Sequence, residues 1–286
     1  MAEVYGFYPK KRSIFNFLSV TSILIIVNII TFIIFLILLV FFRNNPGLLY
    51  EYIALKPSNI FQGMYLWTFI TSMFMHGGFE HLFFNMISLF FIGTFVERII
   101  GRKRYIWFYI ISGLIAGFFF VFLAYFFGVN TLMMKVFGNP ENFGVGASGA
   151  IFGLAGLLAV LIPHKKVYLI AGPLIAIVIQ ATLNTFYSSS SFSGIANILI
   201  TFYIFMAIFT MFSFNERTRK ISIPIEMPFW LLPFVAIVPL VIVGLFVDLP
   251  IANTAHFGGL VSGLVYGIYL KNKYSKKARY LSKHFG

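Results

Sequence analysis

Eight long apolar runs divide this sequence of 286 residues and constrain its fold more than any other feature. They span 14–42, 81–97, 105–127, 148–163, 167–187, 194–213, 228–247 and 254–270. A helix needs about 20 mostly apolar residues to cross a bilayer. Only 10% of the residues are charged, whereas soluble domains average about 25%. The pattern therefore predicts an all-α polytopic membrane protein with eight spans, and it excludes soluble, disordered and fibrous classes.

The absence of cysteine narrows the chemistry further. It excludes a disulfide scaffold, thiolate zinc sites and a cysteine nucleophile. No soluble domain, low-complexity linker or internal repeat interrupts the apolar runs, so we interpret residues 1–286 as one integral membrane domain. The first run follows Lys10, Lys11 and Arg12 and is too long for a removed signal peptide, so it is expected to be a retained span.

Positive charges are distributed unevenly among the connections. If the eight runs alternate in direction, all 21 Lys and Arg residues except Arg43, Lys56 and Lys135 fall on one side of the membrane. Because Lys and Arg concentrate in cytoplasmic loops, both termini are predicted to be cytoplasmic, with 271–286 as a basic cytoplasmic tail. The net charge of +13 then follows from topology and the lipid surface, and no nucleic-acid partner is needed.

Polar residues inside or at the ends of apolar runs are costly and often functional. They are Ser148 within Gly146–Ala150, His256 within Ala255–Gly259, His81 with Asn85, and Glu97 after Gly93. Each has a plain structural interpretation when taken alone. The small residues favour helix packing, the histidines and Asn85 favour interfacial hydrogen bonds, and Glu97 favours local pairing with an arginine.

The combination is more informative than any single member. Ser148, His256 and His81 all fall at the outer ends of their spans, and therefore at one depth. From Ser148 to the turn at Pro163 the helix measures roughly 24 Å, less than the roughly 30 Å of the hydrocarbon core. We therefore expect Ser148 to lie below the outer surface, in a cavity that holds water.

These residue types favour acyl transfer. A serine hydroxyl becomes a good nucleophile when an adjacent base accepts its proton, and His256 is the candidate base for Ser148. Small residues on both helices, among them Gly149, Gly259 and Gly263, permit the close packing that such a contact needs. The chain has a single Asp, Asp248, in the loop eight residues before His256. Because a third orienting acid is therefore nearly unavailable, a Ser–His dyad is predicted.

A developing oxyanion also needs hydrogen-bond donors. The backbone N–H of Ser148 begins a helix, and the positive end of the helix dipole lies there. His81 and Asn85 are four residues apart and share one helix face. They are the candidate side-chain donors.

Together these motifs resemble the rhomboid family of intramembrane serine proteases. The matching segments are Gly146–Gly149 (GxSG), Ala255–Gly259 with Gly263 (AHxxGxxxG), His81–Asn85 (HxxxN) and Gly93–Glu97. GxSG alone is weak, but the ordered set is specific. The resemblance covers about 76–163 and 228–270, and the first helix matches in character alone.

The resemblance implies specific roles for individual residues. It implies catalytic roles for Ser148 and His256, oxyanion-hole roles for His81 and Asn85, and supporting roles for Gly146, Gly149, Phe152, Gly259, Gly263 and His76. Phe152 is expected to stack on the catalytic histidine, and His76 is expected near the outer surface of the site. The implied activity is endopeptidase cleavage of transmembrane protein substrates without metal or cofactor. Substrate is expected to enter laterally past 228–247.

One feature departs from the six-helix core of the family. Ser148 and His256 are separated by two additional spans, at 167–213. These spans are inserted between the serine-bearing helix and the gate helix at 228–247, past which substrate is expected to enter. Two crossings leave His256 on the same side of the membrane as Ser148. A re-entrant hairpin for 167–213 would also leave the two residues on the same side.

Three other functions compete with a protease. A catalytically inactive rhomboid-like chaperone or binding protein keeps the fold but loses the serine or the histidine, and both are present here. A small-molecule transporter would spread polar residues over several depths and repeat its broken helices. A membrane adaptor leaves the polar set unexplained. The absence of organelle-targeting features favours a prokaryotic cell membrane.

Overall fold

The computed structural model describes residues 18–187, 191–211, 215–247 and 252–285. Lys10, Lys11, Arg12 and Asp248 lie outside these residues. Helices dominate the described part of the chain, and each of the eight apolar runs contains one.

Eight helices precede the serine motif among the described residues, and five of them have eight residues or fewer. They are α1 (Val20–Phe41), α2 (Pro46–Ile53), α3 (Pro57–Phe61), α4 (Thr68–Thr71), α5 (Phe79–Ser88), α6 (Thr94–Ile100), α7 (Arg102–Phe127) and α8 (Thr131–Phe137). A π-helical turn at Leu89–Gly93 joins α5 to α6, so Phe79–Ile100 is one continuous helical segment.

The remainder of the chain adds seven helices and a two-stranded ribbon within the described residues. They are α9 (Ser148–Leu161), β1 (Lys166–Ile170), α10 (Ala171–Tyr187), α11 (Ser191–Met211), α12 (Glu216–Arg219), β2 (Pro224–Pro228), α13 (Leu232–Gly244), α14 (Asn253–Lys273) and α15 (Ser275–Phe285). A 3₁₀ turn at Lys220–Ser222 precedes β2. The predicted basic tail therefore begins in the last turn of α14 and continues as α15.

The membrane character of the chain rests on the apolar helices. Among the described residues, four segments are apolar and long enough to cross a bilayer: Val20–Phe41, Phe79–Ile100, Arg102–Phe127 and Ser193–Met211. Three further apolar helices, α9, α10 and α13, are shorter. Eight crossings around a six-helix core stay a prediction.

The ribbon corrects one predicted boundary. The run 167–187 was expected to be helical throughout, but its first residues belong to β1, which pairs antiparallel with β2. Val167, Tyr168 and Ile170 are β-branched or aromatic and favour a strand. Apolar composition alone does not separate a short strand from a helix. The run 228–247 is shortened in the same way, because β2 ends at Pro228 and α13 begins at Leu232.

The centre of the fold is α9. Most of its residues are buried, and Leu154, Leu157 and Leu158 have no exposed surface. It packs against α14 and α7. A helix without a polar face is expected where other helices surround it, so the serine motif begins at the core of the bundle.

The long segment after α1 is folded. It forms α2, α3 and α4, and Leu55 bridges antiparallel to Gly144. The N–H of Leu55 donates to the carbonyl of Gly144 at 3.0 Å, and the N–H of Gly144 donates back at 2.7 Å. This bridge ties the segment to the loop that leads into α9.

Glu97 serves mainly to hold the start of α1. Its carboxylate accepts hydrogen bonds from the N–H groups of Val20 (2.8 Å) and Thr21 (2.9 Å) and from the Thr21 hydroxyl (2.8 Å). The expected arginine partner is present as Arg102, whose Nε lies 3.6 Å from Glu97. The carboxylate satisfies N–H groups that a helix start leaves unpaired and complements the helix dipole.

The Glu97 contact predicts a stability difference. Glu97→Gln replaces one accepting oxygen with a donor and removes the charge, so we expect a loss of about 1–2 kcal/mol in the free energy of unfolding. Glu226→Gln is the matched control, because Glu226 pairs with an exposed Lys166 on the ribbon and such exposed pairs contribute little to stability. Denaturant unfolding in detergent micelles, followed by circular dichroism, measures both. Equal losses would contradict this role.

Candidate active site

Ser148 is the first residue of α9. The chain reaches it through Gly146. The φ angle of Gly146 is +120°, a backbone conformation that residues other than glycine rarely adopt. The N–H of Gly146 donates to the carbonyl of Ser72 at 2.8 Å. The loop is thereby fixed just before the helix, and the half-buried Ser148 is presented at the helix start.

Glycines allow α9 and α14 to approach to backbone contact. A Cβ on Gly259 would collide with the carbonyl of Gly149, and one on Gly263 with the carbonyl of Gly153. A Cβ on Gly156 would lie 2.6 Å from the carbonyl oxygen of Leu260. Small residues produce such close packing in membrane helices, and the contact fixes the register of the two helices.

That register brings Ser148 and His256 together. The distance from His256 Nε2 to Ser148 Oγ is 2.8 Å, a hydrogen bond. The ring of Phe152 stacks on the His256 ring, with centroids 4.3 Å apart and planes inclined by 20°. Within the described part of the chain, His256 Nδ1 has no hydrogen-bond partner. Among the described residues, the arrangement has the geometry of a nucleophile and a base without a third orienting group.

His81 and Asn85 lie beside the loop that leads to Ser148. A Cβ on Gly146 would lie 2.8 Å from His81 Nε2 and 3.8 Å from Asn85 Nδ2, so both side chains face this glycine. Asn85 Nδ2 also donates to the carbonyl of His81 at 2.8 Å. Since the amide has two hydrogens, one remains for another acceptor.

His76 packs against His81. Its ring is fully buried and contacts the ring of His81 edge-on, with centroids 5.1 Å apart. Its position near the outer surface of the site stays a prediction. Its contact is with His81, and it therefore belongs to the packing around the candidate oxyanion donors.

An ionic cluster holds the loop before Ser148, and the sequence interpretation did not identify it. Lys56 Nζ lies 2.9 Å from Glu141 and 3.2 Å from Glu51, and 5.5 Å from the centroid of the Phe143 ring. Hydrogen bonding to Glu141 raises the pKa of Lys56, and the same bond lowers the pKa of Glu141. One sequence signal pointed to this cluster: Lys56 is one of only three Lys and Arg residues expected on the outer side of the membrane.

The predicted site residues fall into two groups. Those that converge at the start of α9 are Ser148, His256, Phe152, His81, Asn85 and Gly146, with His76 behind them. Those that form the helix contact beneath are Gly149, Gly259 and Gly263. A further polar contact below the site is the 2.7 Å hydrogen bond between Ser112 and Ser262.

Comparison with known proteins gives a consistent result. A family model described as "Rhomboid domain" matches residues 64–199 and 200–273. The chain is 36% identical over 129 residues to Rhomboid protease GluP of Bacillus subtilis (44% of this chain, 22% of the relative). It is 38% identical over 89 residues to Rhomboid protease AarA of Providencia stuartii (31% and 32%).

A plant relative matches to a similar extent. RHOMBOID-like protein 5 of Arabidopsis thaliana is 38% identical over 103 residues, which is 36% of this chain and 29% of the relative. The chain thus spans between 22% and 32% of the length of these three relatives.

The Lys56 cluster predicts a pH-dependent contribution to stability. The lowered pKa of Glu141 means that the contribution is lost as the pH falls through that value, and the raised pKa of Lys56 means that it is lost at high pH. Lys56→Gln should therefore lower stability by about 1 kcal/mol or less, and mainly between about pH 5 and pH 10. Thermal unfolding of both proteins across this range measures the difference. A difference that persists undiminished at pH 3 would contradict the ionic origin.

Proposed function

The chain belongs to the rhomboid family, and we propose that it is a serine endopeptidase that cleaves transmembrane segments within the bilayer. The observation that carries this proposal is the 2.8 Å hydrogen bond between Ser148 Oγ and His256 Nε2 at the start of a buried helix. Both partners come from helices held in backbone contact, so the reacting atoms are positioned before substrate arrives.

The proposed reaction proceeds through an acyl-enzyme. His256 Nε2 accepts the proton of the Ser148 hydroxyl as Ser148 Oγ attacks the carbonyl carbon of the scissile peptide. His256 then gives this proton to the leaving amine as the carbon–nitrogen bond breaks. A water molecule, deprotonated by His256, hydrolyses the ester and restores Ser148. Stacking against Phe152 keeps the imidazole plane fixed during both proton transfers.

The negative charge on the carbonyl oxygen needs donors that are already in place. As the first residue of α9, Ser148 has an N–H outside the hydrogen-bond ladder of the helix. The second amide hydrogen of Asn85 and the ring of His81 lie on the adjacent side, next to Gly146. We assign these three groups to the oxyanion hole.

We propose that the inserted pair at 167–213 supports one wall of this site. Ala176 of α10 and Ile204 of α11 are buried in a cluster that includes Phe83 and Phe84 of α5. Phe205 also contacts the ring of Phe83, with centroids 5.3 Å apart. Since α5 carries His81 and Asn85, the pair covers a flank of the helix that holds the oxyanion donors.

Substrate is then proposed to enter on the side of α13. This helix is short, contains Pro239, and exposes Val238 and Ile242. Proline removes a backbone hydrogen bond and weakens a helix interior, which suits a segment that moves aside. The proposed setting is a prokaryotic cell membrane, with cytoplasmic termini and an active site that opens to the outer side.

The dyad is tested by labelling with a fluorophosphonate probe, which reacts with activated serines. Wild-type protein in detergent should be labelled, and Ser148→Ala and His256→Ala should each abolish labelling and turnover. Both variants should unfold at nearly the wild-type temperature. Absence of labelling in folded wild-type protein would contradict the proposal and favour an inactive rhomboid-like binding protein.

The oxyanion assignment predicts a graded effect. Asn85→Ala should slow turnover by about 10²–10³-fold or less, the range for a lost oxyanion donor. Asn142→Ala is the control, because Asn142 is exposed in the loop before the site. Cleavage of a fluorescent transmembrane peptide in proteoliposomes measures both rates. Equal rates in the two variants would contradict the assignment of Asn85 to the oxyanion hole.

The entry route can be tested cleanly because the chain contains no cysteine. In a Ser148→Ala background, a single cysteine at Val238 on α13 should form disulfides with a single-cysteine substrate. A cysteine at Ile198 on α11 is the control, since that side chain is also exposed. Cross-linking at Ile198 but not at Val238 would place substrate entry on the inserted pair.

A further inference from the structure

A groove of about 780 Å³ runs between α7 and α14, and none of the described residues of α9 lines it. Its walls are mainly apolar and aromatic, and include Trp107, Ile111, Ile115, Val261, Val265 and Tyr269. Trp107 and Val265 are more than half exposed. Because α7 is apolar and long enough to cross a bilayer, the exposed apolar side chains of the groove suit contact with lipid.

One end of the groove is cationic. Lys103 and Arg104, in the first turn of α7, line it. Lys273, in the last turn of α14, lies close by, because its Nζ is 2.7 Å from the hydroxyl of the lining residue Tyr269. Among the described residues that line the groove, none is acidic. The positive charges are therefore free to bind an external anion.

The cations are held in place by aromatic side chains. Arg104 donates to the Tyr274 hydroxyl at 2.9 Å, and its guanidinium lies 5.0 Å from the centre of that ring. Lys273 lies 5.2 Å from the centre of the Tyr269 ring. Tryptophan and tyrosine beside Lys and Arg are typical of the level at which helices meet the lipid headgroups. The cationic end of the groove therefore lies at the bilayer surface.

We propose that this groove is a binding site for an anionic phospholipid. One acyl chain lies along the apolar wall from Tyr269 to Ile115, and the phosphate lies between Lys103 and Arg104. Arginine binds phosphate through paired N–H groups, and basic pockets between membrane helices bind anionic headgroups. A zwitterionic lipid offers the same chains but carries no net charge to match the three cations. The bound lipid contacts both α7 and α14, the helix that carries His256.

Trp107 supplies a direct probe of occupancy. The chain has three tryptophans, so Trp67→Phe with Trp230→Phe leaves Trp107 as the single fluorophore. The full chain is reconstituted in vesicles with equal mole fractions of dibrominated phosphatidylglycerol or dibrominated phosphatidylcholine, whose bromines quench tryptophan on contact. Brominated phosphatidylglycerol should quench Trp107 more strongly at every mole fraction. Equal quenching by the two lipids would overturn the proposal.

Charge variants separate this site from general attraction to the surface. Lys103→Gln with Arg104→Gln, in the same single-tryptophan background, should lower the preference for phosphatidylglycerol by about 5-fold or more, because one cation contributes about 1 kcal/mol near anionic lipid. Lys276→Gln with Arg279→Gln removes the same charge from exposed positions on α15 and should leave the preference unchanged. An equal loss in both pairs would indicate a diffuse surface effect and overturn the site.

Discussion

The backbone contact between α9 and α14 is the constraint on which the rest of the structure depends. Gly149 and Gly153 on one helix face Gly259 and Gly263 on the other, with no space for a side chain at either of the latter two. Within a bilayer, helices gain little from the hydrophobic effect and associate through close packing. The glycines provide that packing, and they set the register that places His256 Nε2 2.8 Å from Ser148 Oγ.

Other parts of the fold hold the chain that enters α9. The segment after α1 is bridged through Leu55 to Gly144, the Lys56 cluster holds Glu141, and Ser72 fixes Gly146. All three constraints act on the loop that enters α9. Ser148 is therefore held by the chain that precedes it as well as by α14. The inserted α10 and α11 act from another side, through the aromatic residues of α5.

Much of the site could be predicted from the sequence, because spaced glycines and polar residues in apolar runs carry direct physical meaning. The helix beginning at Ser148, the packing at Gly259 and the stacking of Phe152 all follow from local spacing or from family resemblance. The β1–β2 ribbon, the cap that Glu97 provides for α1 and the Lys56 cluster depend on partners 50 or more residues away, or on a composition that suits strand and helix equally. Local patterns contain no information about such partners.

The central claim is that glycine contact between the two helices creates a reactive serine. The most direct test is the rate at which a fluorophosphonate probe labels Ser148 in Gly259→Ala, compared with Gly244→Ala. A Cβ on Gly259 meets the Gly149 carbonyl, whereas a Cβ on Gly244 meets open space. We expect labelling of Gly259→Ala to fall by about 10²-fold, the cost of a misplacement near 1 Å, with Gly244→Ala unchanged. Labelling of Gly259→Ala at the wild-type rate would contradict the account.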